Sequence, residues 1–310
     1  MVTEIGVGAW QLGGPLLMDG KADGHPDLGR EFSVGLIRVA GEMGINFIDT
    51  AEQYGAGESE RRVGEALEGQ REQWVIGTKF GAQVGPNGER VNDSSPEQVP
   101  TSLEGSLRRL RTDYIDVYVY HTGPKAGEAE KVAEFLLKAK QQGKVRAVGI
   151  STNDLQHVEY LDSLGVLDVV QYAKNMMEPA RELSEWVVRH QAGGVVRGTF
   201  AGGRLSGRYF RQAPRFAVDD VRLGRLKQDA AEEFARYAAF EELVTPERGM
   251  IQLALQFVLG EPGTSTVIPG GKSVHEYKEA IRATELPPLT EGEMERIARI
   301  REDIRAWAPA

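Results

Sequence analysis

Short apolar segments with the character of β-strands alternate with amphipathic, helix-like segments along the whole of this 310-residue chain. Eight segments are strand-like: 5–8, 46–49, 74–78, 116–120, 147–151, 169–171, 195–197 and 266–268. Between them, apolar residues recur at the three- and four-residue spacing of one helix face, as in 34–43 and 250–259. Because such alternation is typical of parallel sheets covered by helices, it predicts an α/β fold, and eight repeats predict a (β/α)8 TIM barrel.

A doubly wound open sheet is the competing fold, and the first turn argues against it. That fold favours a glycine-rich phosphate turn between its first strand and first helix. The glycines at Gly6, Gly8, Gly13 and Gly14 lack the G-x-G-x-x-G spacing and precede a loop. The sequence therefore predicts one barrel domain over residues 1–310.

Three segments exceed what the barrel itself requires. Residues 11–31 form a long first loop, residues 198–229 form another after the seventh strand, and residues 291–307 read as an extra C-terminal helix. The second loop is rich in basic side chains, which form either a solvated surface or a flap over an anionic cofactor. These side chains are Arg204, Arg208, Arg211, Arg215, Arg222, Arg225 and Lys227.

Composition narrows the class of protein. A net charge of -9 argues against nucleic acid or an anionic membrane surface as the main partner. The absence of cysteine excludes disulfides, thiolate nucleophiles and cysteine-bound metals. The first residues lack the basic and apolar regions of a secretory signal, so we expect none, and no apolar run reaches the roughly 18 residues that span a bilayer. We expect a cytoplasmic protein that acts on small molecules, as a monomer or small homo-oligomer.

Polar side chains stand where three consecutive predicted strands end. Asp49, Lys79 and His121 each follow an apolar run, and Tyr54 comes five residues after Asp49. Because the C-terminal ends of barrel strands share one face, a single cavity can collect all four side chains.

These four residue types can together protonate a carbonyl oxygen. A lysine ammonium stabilises a neighbouring phenolate and so lowers the pKa of a tyrosine from about 10. A buried aspartate holds the lysine charged, and a histidine donates a hydrogen bond to the substrate oxygen as negative charge develops there. The group needs no metal ion or covalent nucleophile if a hydride donor is present.

Several motifs of the chain resemble those of the aldo-keto reductase superfamily. They are GINFIDTAEQYGAGESE at 44–60, TK at 78–79, YID at 114–116 with His121, GKVR at 143–146, GIS at 149–151, Gln171, and VIPG at 267–270. The motifs occur in the family's order over nearly the whole chain. The resemblance implies a barrel that uses a nicotinamide cofactor without a Rossmann fold. It also implies that Asp49, Tyr54, Lys79 and His121 are a catalytic tetrad with Tyr54 as proton donor.

Cofactor-binding positions follow from the same resemblance. Ser151 and Gln171 match residues that hold the nicotinamide carboxamide, and Asn153 stands one residue later than the asparagine usual in the family. Arg197 occupies the end of the seventh strand, where an aromatic residue commonly stacks on the nicotinamide. It either stacks in that place or pairs with a phosphate or the substrate.

The adenosine end is expected in the loop that begins at Gly270. Lys272 and Ser273 suit a 2′-phosphate, which favours NADPH, with NADH possible. Glu276 stands where many NADPH-using relatives have a basic or amide side chain, which disfavours the phosphate. Glu279 is a further expected cofactor-binding position.

Trp10, Phe80 and Phe200 follow predicted strands and are expected to line the substrate pocket. The leading hypothesis is an NAD(P)H-dependent reductase of aldehydes or ketones, including keto-sugars. One alternative is an NAD(P)+-dependent dehydrogenase of sugars or polyols, and another is a nucleotide-binding regulatory subunit without turnover.

Overall fold

The computed structural model describes residues 1–212, 214–225 and 230–306, so Lys227 and Trp307 lie outside the described residues. Eight parallel strands form one sheet in chain order. They are β1 (Val7–Gly8), β2 (Phe47–Asp49), β3 (Val75–Phe80), β4 (Ile115–Tyr120), β5 (Val145–Ser151), β6 (Val169–Ala173), β7 (Gly193–Arg197) and β8 (Thr266–Val267). The sheet closes on itself, because the Gly6 amide donates to the Val267 carbonyl at 2.8 Å and the Val267 amide donates to the Glu4 carbonyl at 2.8 Å. The predicted (β/α)8 barrel is confirmed.

Helices connect the strands and cover the barrel from outside. They are α1 (Arg30–Glu42), α2 (Glu58–Ala66), α3 (Gln98–Leu110), α4 (Ala129–Gln141), α5 (Leu155–Ser163), α6 (Arg181–Arg189), α7 (Ala230–Arg236), α8 (Met250–Gly260), α9 (Val274–Glu285) and α10 (Glu291–Ala306). Helix α5 begins where Asp154 accepts a hydrogen bond from the Gln156 amide, a side-chain N-cap. Helix α10 is the predicted C-terminal helix, and Arg305 ties it to the carbonyl of Met177 at 2.7 Å.

The apolar side chains of the strands form two separate parts of the core, one inside the barrel and one under the helices. Successive strand residues point to opposite faces, so every second residue faces the barrel interior. The interior is filled by the small apolar cluster of Phe47, Val117, Val119, Val195 and Ile268. The other phase, which includes Ile76 and Tyr118, packs under the helices in the larger outer core.

The start of β7 requires glycine. A side chain at Gly194 would place a Cβ 1.7 Å from the carbonyl oxygen of Gly263. The two backbone segments therefore lie too close together for any residue other than glycine at position 194. The sequence predicts a helix stop at residues 193–194. In the structure, α6 already ends at Arg189, and Gly193 and Gly194 pair with β6 instead.

The two long loops contact each other at the C-terminal end of the barrel. The first contains a short antiparallel ribbon, Leu17–Met18 with Lys21–Ala22. The second docks on it, because the Val221 amide donates to the Gly24 carbonyl at 2.9 Å. Buried Asp220 accepts from Arg222 at 2.9 and 2.6 Å and lies 3.6 Å from the Nδ1 atom of His25.

Candidate active site

Six polar side chains project inward at the ends of six neighbouring strands. They are Asp49 on β2, Lys79 on β3, His121 just after β4, Ser151 on β5, Gln171 on β6 and Arg197 on β7. Asp49 follows Phe47 by two residues, and Arg197 follows Val195 by two, so both share the phase of the interior cluster. The strand period and the closure of the barrel thus bring together residues that are far apart in the sequence.

Lys79 is the centre of the group. Its side chain is 1% exposed, and its Nζ donates to Asp49 Oδ1 at 2.5 Å, to the Thr50 carbonyl at 2.8 Å and to the Tyr54 hydroxyl at 3.2 Å. All three ammonium hydrogens therefore have acceptors. The other carboxylate oxygen of Asp49 accepts from the amide of Gln171 at 2.6 Å. This hydrogen bond holds the Asp49 carboxylate in place. Gln171 therefore has a structural role in addition to the cofactor contact expected from the sequence.

The ionisation of the pair follows from this geometry. Burial would lower the pKa of Lys79, but the adjacent carboxylate of Asp49 and the Tyr54 hydroxyl outweigh it, and the pKa is raised. Burial raises the pKa of Tyr54 above 10, while the Lys79 charge acts in the opposite direction. The expected net lowering of the Tyr54 pKa is therefore not found. At neutral pH, Tyr54 is a neutral phenol held beside an ammonium group.

His121 and Trp10 lie on either side of Tyr54. The His121 ring meets the Tyr54 ring edge-on with centroids 5.7 Å apart, and the Trp10 ring stacks at 5.8 Å with an angle of 26°. Burial, followed by the charges of Lys79 and Arg197, lowers the pKa of His121 well below 6.5. The imidazole is thus neutral at pH 7, and its Nδ1 atom is buried without a hydrogen-bond partner.

The predicted carboxamide-binding residues bond to one another. The Ser151 hydroxyl donates to the Oε1 atom of Gln171 at 3.0 Å and lies 3.3 Å from the Nε atom of Arg197. Asn153 caps the end of β6, donating to the Ala173 carbonyl at 3.1 Å and accepting from its amide at 3.0 Å. The amide of Gln171 keeps a second N–H, and its carbonyl oxygen keeps a second lone pair for a ligand.

The three expected pocket residues occupy different places. Trp10 stacks on Tyr54 from the single helical turn that follows β1, and its place in the substrate pocket stays a prediction. Phe80 is 0% exposed and packs against Tyr118 and Tyr120 in the outer core, so the prediction that it lines the pocket is wrong. The reason is the strand period, since Lys79 points inward and the next residue must point outward. Phe200 is half-buried against the outer core.

The loop before α9 uses its polar groups internally. The Ser273 hydroxyl caps the helix by accepting from the Glu276 amide at 3.2 Å, and Glu276 in turn accepts from the Lys272 amide at 2.6 Å. Gly270 lies against Gln11, whose side chain donates to the Gly271 carbonyl at 3.0 Å. Expected cofactor residue Glu279 accepts from Gln252 of α8 at 2.9 Å and so joins two helices.

Lys272 lies among both cations and anions near this loop. Burial lowers the pKa of its side chain, the charges of Arg222 and Arg208 lower it further, and the charges of Asp220 and Glu276 act in the opposite direction. A partly buried ammonium group of this kind can contact a phosphate. Together, Lys272 and the side-chain amide of Gln171 are groups that fit the two ends of a nicotinamide dinucleotide.

A cleft of about 840 Å3 is lined by the loops that follow β4 and β5, by α5 and by the start of α6. Polar and acidic side chains dominate its walls: Asn153, Asp154, Gln156, His157, Glu159 and Glu182. Within residues 1–212, 214–225 and 230–306, no cluster of three or more His, Asp or Glu side chains is arranged to hold a metal ion. Over the same ranges, no helix has the length and apolar character needed to cross a membrane.

The sequence of this chain is similar to those of known proteins. The Aldo/keto reductase family model matches residues 4–302. The chain is 28% identical over 306 residues to the uncharacterized oxidoreductase YqkF of Bacillus subtilis, covering 98% of this chain and 94% of the relative. It is 34% identical over 194 residues to an NADH-specific methylglyoxal reductase of Escherichia coli, covering 58% of each.

The fold agrees with the sequence comparison. The structure of the glycerol dehydrogenase AKR11B4 from Gluconobacter oxydans superimposes with a TM-score of 0.84 at 25% identity, covering 100% of this chain and 94% of that one. The family match extends over nearly the whole barrel, including every strand that carries a tetrad residue. This chain is therefore a member of the aldo/keto reductase family, a family of oxidoreductases.

Proposed function

We propose that the protein reduces an aldehyde or ketone to the alcohol with Tyr54 as the general acid. The observation that carries the proposal is the buried chain of contacts from Asp49 through Lys79 to the Tyr54 hydroxyl. A phenol is a weak acid, and an ammonium at 3.2 Å stabilises the phenolate left after proton transfer. A bound reduced nicotinamide would supply the hydride that makes this proton transfer productive.

Each tetrad member has a distinct role in this proposal. Tyr54 gives its proton to the carbonyl oxygen, and Lys79 compensates the charge that forms on the phenolate. Asp49 keeps Lys79 protonated in a nearly water-free environment. Neutral His121 donates a hydrogen bond to the substrate oxygen in the transition state, which stabilises the negative charge that develops there.

Ser151 and Gln171 would hold the carboxamide of the cofactor, and the cations around Lys272 would hold its phosphates. Lys272 favours NADPH, whereas the Glu276 carboxylate at the start of α9 favours the unphosphorylated ribose of NADH. Thermal shifts at equal concentrations of NADPH and NADH compare the two affinities, because stabilisation of the folded protein at a given ligand concentration increases as Kd decreases.

The test is a Tyr54→Phe variant assayed with a panel of aldehydes, ketones and keto-sugars. Loss of the general acid should lower kcat by about 100-fold or more, while the cofactor still binds. Tyr118→Phe is the matched control, because this buried hydroxyl has no hydrogen-bond partner and lies in the outer core. Equal turnover in Tyr54→Phe and wild type would refute the proposal. Cofactor binding without turnover on the whole panel would instead favour a regulatory role.

A second candidate is the reverse reaction, oxidation of a polyol or sugar by NAD(P)+. The polar, acidic cleft lined by the loop after β5, by α5 and by the start of α6 suits a ligand with several hydroxyl groups, and one structural relative is a glycerol dehydrogenase. Rates in both directions at neutral pH, with glycerol and cyclitols among the alcohols, decide between the two candidates.

A further inference from the structure

Arg197 carries a positive charge that the protein leaves unbalanced. Its Nε atom lies 3.3 Å from the Ser151 hydroxyl, and its Nη2 donates to Asn153 Oδ1 at 3.1 Å; both partners are neutral. Within the described part of the chain, Arg197 forms no ion pair with a carboxylate. The Arg197 residue is partly exposed, so it is not sealed off from solvent.

Other shielded arginines of this molecule are paired with acids. Arg62 meets Glu58 at 3.1 Å, and Arg71 meets Asp116 at 2.6 Å. A guanidinium removed from water without a counter-ion is costly, so the usual solution is a carboxylate partner. Arg197 departs from that pattern, and such departures concentrate at binding sites.

The charges around Arg197 do not cancel its own. Asp49 is already paired with Lys79, and Tyr54 and His121 are neutral at pH 7. Glu178, on the exposed loop after β6, and the like charge of Arg225 act on it only at longer range. Burial lowers the pKa of the guanidinium, which nevertheless stays charged. The formal charges of Asp49, Lys79 and Arg197 therefore sum to +1 at pH 7.

Position distinguishes this cation from those near Lys272. Arg197 pairs in register with Ala173 of β6 and shares the inward phase of Lys79, Ser151 and Gln171. It thus lies at the depth of the tetrad, where its charge acts on both Tyr54 and Asp49. Ser151 and Asn153 fix the plane of the guanidinium, a geometry suited to two parallel bonds with a carboxylate.

We propose that Arg197 binds an anionic group of the substrate, so that the preferred substrates are carbonyl compounds bearing a carboxylate next to the reacting carbon, the 2-oxo acids. This inference rests on the proposed reductase function and narrows its substrate class. The same guanidinium chemistry could serve a phosphate of the dinucleotide, and the experiment separates the two sources.

The first arm measures discrimination between matched substrates. Methyl pyruvate replaces the carboxylate of pyruvate by a neutral methyl ester, so the change in the ratio of their kcat/KM values between wild type and a variant reports on recognition of the anion. We expect wild type to favour pyruvate and Arg197→Met to lower the ratio about 10- to 100-fold, since a bond to a charged group is lost. Arg197→Lys keeps the positive charge but lacks the planar guanidinium group, so its ratio should lie between those of wild type and Arg197→Met.

The second arm measures binding without turnover. Oxamate and oxamide, titrated by calorimetry into enzyme saturated with NADH, report affinity for a carboxylate and for its neutral counterpart. Oxamate should bind more tightly to wild type, and Arg197→Met should lose that preference. Arg225→Met is the matched control, because it removes an exposed cation that lies 5.0 Å above the Trp10 ring. It should change the pyruvate ratio much less than Arg197→Met.

Three outcomes would overturn the inference. A pyruvate ratio unchanged in Arg197→Met, with NADH and NADPH affinities lowered instead, would assign Arg197 to the cofactor phosphates. If Arg225→Met lowered the pyruvate to methyl pyruvate ratio as much as Arg197→Met, the general positive charge of the region, and not a direct bond from Arg197, would explain the preference for pyruvate. Efficient reduction of neutral aldehydes with no preference for acids would reject the 2-oxo acid class and leave the reductase function intact, whereas failure to reduce any carbonyl would reject that function itself.

Discussion

Breaking the buried pair of Asp49 and Lys79 offers the sharpest physical test of the site. In Asp49→Asn, the Lys79 ammonium keeps three acceptor atoms but loses the one carboxylate that pairs with it among the described residues, while its side chain stays 1% exposed. Removing one partner of a buried pair costs about 3–5 kcal/mol, because the other charge stays buried and uncompensated. Lys79→Met leaves the Asp49 carboxylate with Gln171 alone and should also destabilise strongly.

The double variant distinguishes a direct interaction between the two charges from a general loss of stability. Asp49→Asn with Lys79→Met removes both charges, so its loss of stability should be about 2–3 kcal/mol smaller than the sum of the single losses. Urea unfolding followed by circular dichroism gives the four free energies of unfolding. If the single losses add to the double loss within about 0.5 kcal/mol, the two charges do not stabilise each other and our account of the site fails.

The direction of the Lys79 pKa shift determines the pH at which the free energies of unfolding should be measured. The folded protein raises the pKa of Lys79, so the pair contributes its full stability below the ordinary lysine pKa. That contribution is lost only as the pH rises through the higher, folded value. A cycle at pH 7 therefore measures the whole effect. In Asp49→Asn, burial lowers the lysine pKa instead, and the stability of that variant should rise with pH.

Two further predictions concern the protonation of the site and the packing of the barrel. Because the pKa of Tyr54 is raised and that of His121 is far below neutrality, carbonyl reduction should show no titration of either group between pH 7 and 9, and a steep fall of kcat/KM in that range would contradict this. Gly194→Ala should lower the free energy of unfolding by about 3 kcal/mol or more, since its Cβ would lie 1.7 Å from a carbonyl oxygen. The control Gly35→Ala, in α1 with open space around it, should be neutral or stabilising by up to about 1 kcal/mol; equal urea midpoints for the two variants would refute the packing claim.

The sequence alone predicted the ring of strands and the residues at its mouth for one physical reason. Asp49, Lys79 and His121 end apolar runs, and parallel strands place their ends together whatever connects them. Phe80 shows the limit of that reasoning. It also ends its strand, but side-chain direction alternates, and counting the period from Lys79 assigns it to the outer core.

Two other features depend on local contacts that no pattern in the sequence reveals. The sequence does not reveal that the Ser273 hydroxyl caps α9 by accepting from an otherwise unpaired amide at the helix start, and its contact with a phosphate stays a prediction. The pKa of Tyr54 was expected to fall, but its direction is set by how much water the fold removes around the ring. Depth of burial and competition for hydrogen bonds become known only with the three-dimensional structure.

The hydrogen bonds that join residues 4–6 to Val267 also govern how copies of this chain can associate. An open sheet ends in strands with unpaired amides and carbonyls, which are ready to recruit another strand. Here the eight-stranded sheet has no first or last member, so a neighbouring molecule cannot extend it. Contacts between folded copies would therefore come from the helices and loops outside the barrel sheet, including the short ribbon of the first loop.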